Sequence, residues 1–157
     1  MKIEQFQDEY RFLSNFYPSP FKLGEYTIEY STVEHYYQSQ KCANKNDAIN
    51  IIKCRTPGQA KRLGSTVSLI SVWEETKDLV METGVKAKFD QNADLAVLLI
   101  STHPSVLIEG NYWHDNYWGK CYCHRCRHKR GLNVLGKILM EMRGKLINEE
   151  NRIIKGG

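Results

Sequence analysis

Ser31-Thr32-Val33-Glu34-His35-Tyr36-Tyr37-Gln38-Ser39-Gln40-Lys41 is the stretch on which the fold reading turns, because it carries the chain from strand-like sequence into helices. Ser31 to Glu34 has the spacing of a capping box, and Val33, Tyr36, Tyr37 and Gln40 follow at helical intervals. Glu34, Gln38 and Lys41 fall at i, i+4 and i+7, so a helix lines them along one face while Val33, Tyr37 and Gln40 point elsewhere. A carboxylate and an amine sharing a face near the positive end of a helix suit a charged transition state. Spacing alone favours the plainer reading, a Glu34 that bonds back to the Ser31 amide with Gln38 and Lys41 as ordinary solvated positions.

Upstream, aromatic and β-branched residues in Glu9 to Phe16 and in Glu25 to Tyr30 read as short strands. Tyr17-Pro18-Ser19-Pro20 and Lys22-Leu23-Gly24 are turn-like, which predicts a hairpin or small sheet. Downstream, a helix is expected over Asp47 to Cys54. Thr56-Pro57 opens another, with Thr as N-cap, Pro at the first position and Gly64 at the stop. Ser71-Val72-Trp73-Glu74 repeats the capping-box pattern and opens a longer helix to about Phe89, with Val72, Leu79, Val80 and Val85 as its apolar side. Glu74 carries the same cap-or-catalyst ambiguity as Glu34. Asn92 is read as the cap of the next helix, with Leu95, Leu98 and Leu99 inward. Val106 to Glu109 forms a strand, and a last amphipathic helix from Asn133 turns Val134, Leu135, Ile138, Leu139, Met142 and Leu146 to one side. The expected architecture is α+β: a compact single domain over residues 1–148, a small sheet with several packed helices, and a polar tail at 149–157 that frays.

With 157 residues, 41% hydrophobic and 25% charged, the chain has room for one domain and a sizeable core. No apolar run is long enough for a bilayer, and the first residues lack the apolar core of a secretory signal, so the expectation is a cytoplasmic protein with no membrane partner. Five cysteines include Cys42 and Cys54 in helical segments, which is not a secreted disulfide framework. The 22 basic against 18 acidic residues favour anionic ligands mildly. His124 to Arg130 concentrates four permanent positive charges in seven residues, either a contact for a phosphate-rich partner or a solvated basic loop. Walker A, G-x-G-x-x-G, H-E-x-x-H and G-x-S-x-G patterns are absent from the sequence, which leaves phosphoryl transfer, hydride transfer, zinc proteolysis and serine hydrolysis without support.

Two further segments carry chemistry. Asn111 to Gly119 sets Trp113, His114, Asp115, Tyr117 and Trp118 in a loop, where large rings either cover the core or stack on a base or ribose. Asp115 among them is a candidate acid, base or hydroxyl anchor. Cys121, Cys123 and Cys126, with His124 and His128, offer thiols and imidazoles at C-x-C-x2-C spacing. The C-x-C bite is tight for a chelate and a second, distant pair is not evident, so no metal ligand is assigned and an ordinary loop with reduced thiols is expected.

Several of these pieces, in order, resemble the NADAR/YbiA-like family of N-glycosidases: Phe12-Leu13-Ser14-Asn15-Phe16-Tyr17, Ser31 to Lys41, the Trp73 helix, Ala87-Lys88-Phe89, Asn116-Tyr117-Trp118-Gly119 and Gly131 to Met140. Together they span Phe12 to Arg143. The resemblance implies a small α+β fold and hydrolysis of N-glycosidic bonds, with ribosylamino-pyrimidine phosphates and ADP-ribose on guanine as the substrate classes. It raises Glu34 from cap to catalytic residue and implies that Glu34, Lys41, Trp73 and Asp115 line the active site, with Ser14, Asn15, Phe16, Trp118, Gly119 and Asn133 shaping the pocket. No cofactor is implied. One departure stands out: many relatives carry a short Gly-rich or acidic loop after Tyr-Trp-Gly, where this chain has Cys121 to Arg130.

Breaking a C–N glycosidic bond builds positive charge on the anomeric carbon and negative charge on the departing base. Glu34 is expected to stabilise the former or to act as base toward water. Lys41 is expected to attack the opened sugar as a neutral amine, or to grip a phosphate or leaving group if it stays charged. The expected partner is an ADP-ribosyl or ribosyl-phosphate small molecule, or ADP-ribosylated DNA or RNA. The rival readings are a module that binds ADP-ribose or modified nucleic acid without cleaving it, and a zinc-stabilised nucleic-acid adaptor built on Cys121 to Arg130.

Overall fold

The computed structural model describes residues 1–24 and 28–156. Its elements, in chain order, are β1 (Lys2–Ile3), a 3-10 helix (Asp8–Leu13), β2 (Phe21–Leu23), β3 (Ile28–Tyr30), α1 (Val33–Gln40), α2 (Lys45–Ile52), α3 (Pro57–Gly64), α4 (Trp73–Gln91), α5 (Ala93–Ser101), β4 (Val106–Leu107), β5 (Gly110–Asn111), β6 (Lys120–Cys121) and α6 (Val134–Gly156). Helices with small two-stranded sheets make an α+β fold, as expected. No helix among the described residues is long and apolar enough to cross a membrane. The chain divides into two compact units, Asn15–Asn92 and Met1–Ser14 with Ala93–Gly157.

In the Asn15–Asn92 unit, β2 and β3 form the expected hairpin, antiparallel with Phe21 opposite Tyr30. Its turn contains Gly24 at φ +89°, a conformation glycine adopts without steric cost. The part of the expected strand at Glu25 to Thr27 lies outside the described residues. Phe21, Tyr30 and Tyr36 pack ring against ring at 5.1–5.9 Å, which seats the hairpin on α1. Around α1 pack α2, α3 and α4. The cap of α3 is as expected: Thr56 accepts from the Gln59 amide while the Gln59 side chain bonds back, and Pro57 opens the helix.

Two expected capping boxes are absent. The N-cap of α1 is Thr32, whose hydroxyl accepts from the His35 amide, so Glu34 sits one position too early to reach back to its cap. The helix at Trp73 starts after Val72 with no side-chain cap, and Glu74 instead pairs with Lys77 at the surface, 2.6 Å away. The buried face of α4 is also rotated from the expected one. Val72 and Leu79 are 50% and 65% exposed, while Trp73, Met81, Val85, Lys88 and Phe89 are buried. Simple apolar counting missed this because Lys88, 1% exposed, stands in the core stripe with its ammonium 5.2 Å from the Phe89 ring centre and 5.8 Å from that of Tyr17, an aromatic setting suited to a cation. Asn92 caps the end of α4, donating to the Lys88 and Pro20 carbonyls at 2.8 and 3.1 Å.

The other unit joins β1 and β4 in parallel, and α5 packs on α6. Leu95 and Leu99 are buried as expected, but Leu98 is 44% exposed. The segment read as a strand over Glu9 to Phe16 is instead largely a 3-10 helix over Asp8–Leu13, which buries adjacent Phe12 and Leu13 rather than alternating them as a half-buried strand would. In α6, Leu135, Leu139 and Met142 face inward together with Arg143, whose guanidinium donates to Thr102 Oγ1 and the Ser105 carbonyl, both at 2.9 Å. The helix runs on to Gly156, with the side chains of 148–156 exposed.

Candidate active site

Thr32 lets α1 begin where it does, and His35 fixes the helix from inside. The Nε2–H of His35 donates to the Cys54 carbonyl at 3.0 Å, which leaves Nδ1 to accept from the Thr32 hydroxyl at 2.8 Å. The carbonyl has no proton to give, so the neutral Nε2–H tautomer follows. Burial lowers the His35 pKa, with the bond to Cys54 opposing. The amide of Glu34 donates to the Asn15 carbonyl at 3.1 Å, tying the motif segment Asn15-Phe16 to the first turn.

With backbone and cap satisfied by other groups, the Glu34 carboxylate turns along the helix. Its Oε1 accepts from Gln38 Nε2 at 2.7 Å, and the residue is 6% exposed. Burial raises its pKa; the Gln38 bond and the charges of Lys61 and Lys41 pull the other way without cancelling it. Lys41 occupies the C-cap of α1, where a cation meets the negative end of the helix. Burial lowers its pKa, against the pull of Glu34. Its backbone carbonyl accepts from Ile70 at 2.9 Å, and Ile70 in turn accepts from the Trp73 amide.

The structure thus brings Glu34 and Lys41 into electrostatic reach of each other, with Gln38 between them in sequence and Lys61 added from α3. Sequence reading missed Lys61, whose ammonium lies 5.8 Å from the Phe16 ring centre; no spacing rule links α3 to α1. It also assigned Gly64 as a helix stop. Gly64 is the last residue of α3, and a Cβ there would stand 2.1 Å from Gln38 Oε1. Glycine is needed because the Gln38 amide packs against this backbone. Gln38 Oε1 is buried and has no hydrogen-bond partner, an acceptor left over beside the carboxylate. Phe16 is 39% exposed, whereas Trp73 is only 5% exposed with its ring 5.1 Å from that of Tyr37, so Trp73 chiefly backs α1. The Asn15 side chain donates to Met81 Sδ at 3.3 Å.

Ser14, Asp115, Trp118, Gly119 and Asn133 belong to the other unit. Asp115 Oδ1 accepts from the amides of Tyr117 and Trp118, both at 2.9 Å, and the Asn111 side chain holds the Asp115 backbone. Asp115 is therefore an organiser of its turn, with a second carboxylate oxygen beyond that bond. Gly119 admits no side chain, since a Cβ would fall 2.0 Å from the Glu109 carbonyl oxygen. Asn133, at φ +51°, donates to the Leu107 carbonyl and accepts from the Glu109 amide; both ends of its amide serve the backbone, leaving it to shape rather than to bind. Ser14 ends the 3-10 helix.

The loop after Trp118 holds a second constellation. His114, Cys121, Cys123 and Cys126 bring one imidazole nitrogen and three sulfurs within 4.8 Å of one another. The histidine of this group is His114 from the aromatic loop, not His124 or His128. None of the five cysteines forms a disulfide.

A buried carboxylate, an amide and a lysine thus lie along one short helix of an α+β fold. The chain matches the NADAR domain family over residues 3–147 and belongs to it. It is 37% identical over 145 residues to the N-glycosidase YbiA of Escherichia coli, covering 91% of this chain and 86% of that protein. It is 35% identical over 149 residues to the chloroplastic riboflavin biosynthesis protein PYRR of Zea mays, of which it spans 23%. The NMR structure of the E. coli protein YbiA superposes with a TM-score of 0.81 at 34% identity, over 96% of this chain and 86% of that one. Membership of this family makes the chain an enzyme of the N-glycosyl hydrolase class.

Proposed function

We propose that this chain hydrolyses the bond between the anomeric carbon of a ribose or ADP-ribose and a base-like nitrogen, with Glu34 as the catalytic carboxylate. The observation that carries the proposal is the state of Glu34: buried, bonded to Gln38, and raised in pKa although Lys41 and Lys61 lie near. A cap needs none of this. A carboxyl whose pKa rises toward the working pH can take a proton from water and return it. Its charged form, in a site of low polarity, also stabilises an oxocarbenium strongly.

In the proposed reaction the C–N bond breaks with its electron pair going to the base nitrogen. Water adds its oxygen to the anomeric carbon, and its proton reaches the base by way of Glu34. Lys41, lowered in pKa by burial, has two roles open to it: as a neutral amine it condenses with the open-chain aldehyde of the sugar, releasing water and forming a C=N bond that a second water later hydrolyses, and as a cation it grips a phosphate or the leaving group. Lys61 beside Phe16 supplies a cation and a ring face for a phosphate and a base. Ser14, Asp115, Trp118, Gly119 and Asn133 enter the proposal through the family resemblance alone. A reducing compartment such as the cytoplasm suits five cysteines without a disulfide.

Two substrate classes suit this chemistry: ADP-ribosylated guanine in nucleic acid and ribosylamino-pyrimidine phosphate. The maize relative's role in riboflavin biosynthesis favours the second; the exposed cations of Arg125 to Arg130 favour the first. Offering both in parallel and measuring free base decides between them. Release from one names the substrate class, and release from neither removes the proposal.

A further inference from the structure

We propose that His114, Cys121, Cys123 and Cys126 form a structural zinc site. Cys123 and Cys126 are a C-x2-C pair, closed by a tight turn in which the amides of Cys126 and Arg127 donate to the Cys123 carbonyl at 3.0 and 2.9 Å. The second pair that such a site requires comes from the preceding strand and loop. Cys121 ends β6, which runs parallel to β5 with Asn111 opposite Cys121. The intervening loop folds His114 back over Cys121, so its amide donates to Cys121 Sγ at 3.3 Å.

The four ligand atoms converge closely enough to close on one ion. Zinc with Zn–S of about 2.3 Å and Zn–N of about 2.0–2.1 Å holds its ligand atoms about 3.5–3.8 Å apart. Here His114 Nδ1 stands 3.3 Å from both Cys123 Sγ and Cys126 Sγ, and all four ligand atoms lie within 4.8 Å of one another. Cys121 and Cys126 are 0% and 4% exposed, whereas His114 is exposed, so the cluster faces the core on one side. Three ligands are thiolates in such a site, which gives the zinc complex a net charge of about −1. Arg125, Arg127, Lys129 and Arg130 flank it in sequence and balance that charge. The backbone N–H on Cys121 Sγ is the kind of outer hydrogen bond that orients a thiolate ligand. His114 itself adopts φ +72°, a left-handed conformation uncommon for a non-glycine residue, and ligation supplies a reason for holding it there. All four protein ligands close the tetrahedron, leaving no open position for water, so the ion is structural rather than catalytic. Its effect is to pin the segment that contains Asp115, Trp118 and Gly119.

The site stands apart from the glycosidase proposal, and the test reads it separately. The full chain is purified without added metal in reducing buffer, and its metal content is measured by elemental mass spectrometry. About one zinc per chain is expected in the wild type and in Cys54→Ser, and none in Cys121→Ser or Cys126→Ser. Cobalt exchanged into the wild type should show the charge-transfer and intense d–d bands of a tetrahedral thiolate site. If the cysteine variants fail to fold, His114 decides: His114→Cys should keep the zinc and His114→Ala should bind it far more weakly. A wild type that purifies without zinc and whose melting temperature does not respond to one equivalent of zinc chloride overturns the proposal. So does full zinc retention in folded Cys121→Ser or Cys126→Ser protein.

Discussion

Glu34 Oε1 accepts a 2.7 Å hydrogen bond from Gln38 Nε2, one turn further along the same helix. This bond points the carboxylate away from the cap of α1, which Thr32 supplies instead. It also commits one face of the helix to a buried polar network.

Burial makes the protonation state of Glu34 a stability variable. Its pKa in the folded chain lies above the ordinary value of about 4.5, so the folded state holds this proton more tightly than the unfolded state. The resulting stabilisation is complete below about pH 4.5 and is lost as pH rises through the raised value. Glu34→Gln is neutral throughout and escapes that loss. The melting temperature of the variant minus that of the wild type should therefore increase from acid to neutral pH; a difference that is flat with pH contradicts the raised pKa.

Gly64 and Gly58 lie on one helix but differ in what a methyl group would meet. At Gly64 the added Cβ collides with the Gln38 amide, while at Gly58 the nearest atom is 3.8 Å away. Gly64→Ala should cost about 1–3 kcal/mol through overpacking and lower turnover by displacing Gln38 from Glu34. Gly58→Ala should be neutral or stabilising by up to about 1 kcal/mol from helix propensity. Urea titrations of the two variants check the pair, and equal effects would refute the assigned packing.

His35 should remain a neutral Nε2–H imidazole below the pH at which ordinary histidines charge. Its pKa is lowered from 6.5 by burial, so this group adds stability above about pH 6.5 that is lost as pH falls below it. Long-range proton–nitrogen NMR spectra through an acid titration should show His35 keeping a single protonated ring nitrogen below the ordinary histidine value of 6.5. Charging at or above that ordinary value would contradict the burial and the acceptance by Nδ1 from the Thr32 hydroxyl.

Lys41 separates two routes for the chemistry. Borohydride added during turnover should reduce a C=N bond and leave the sugar attached, an adduct visible by intact mass and absent from Lys41→Arg. Turnover without any Lys41-dependent adduct removes the covalent route and leaves Lys41 as a charge.

The helices were legible in the sequence wherever local chemistry fixes them. Thr56-Pro57 and Gln59 specify the start of α3 through bonds among neighbours, and the structure has them. Phe12 and Leu13 were misread as strand because adjacent aromatic and apolar residues do not distinguish a strand from a tight helix. The facing of α4 was hidden by Lys88, a charged residue in a buried stripe. At the site, Glu34 and Lys41 could be paired because they share a helix, while Lys61 and Gly64 reach them only through the packing of α3 on α1. The cysteine cluster was incomplete in sequence for the same reason: its histidine comes from the far side of a loop closed by the pairing of β5 with β6.

The central claim is that Glu34 is a catalyst of N-glycosidic bond cleavage rather than a helix cap. Its most direct test is base release by wild type and Glu34→Gln from the two candidate substrates, each protein checked for helix content and melting. Wild-type release from at least one substrate, abolished in a folded Glu34→Gln chain, is the predicted result; undiminished release by that variant would contradict it.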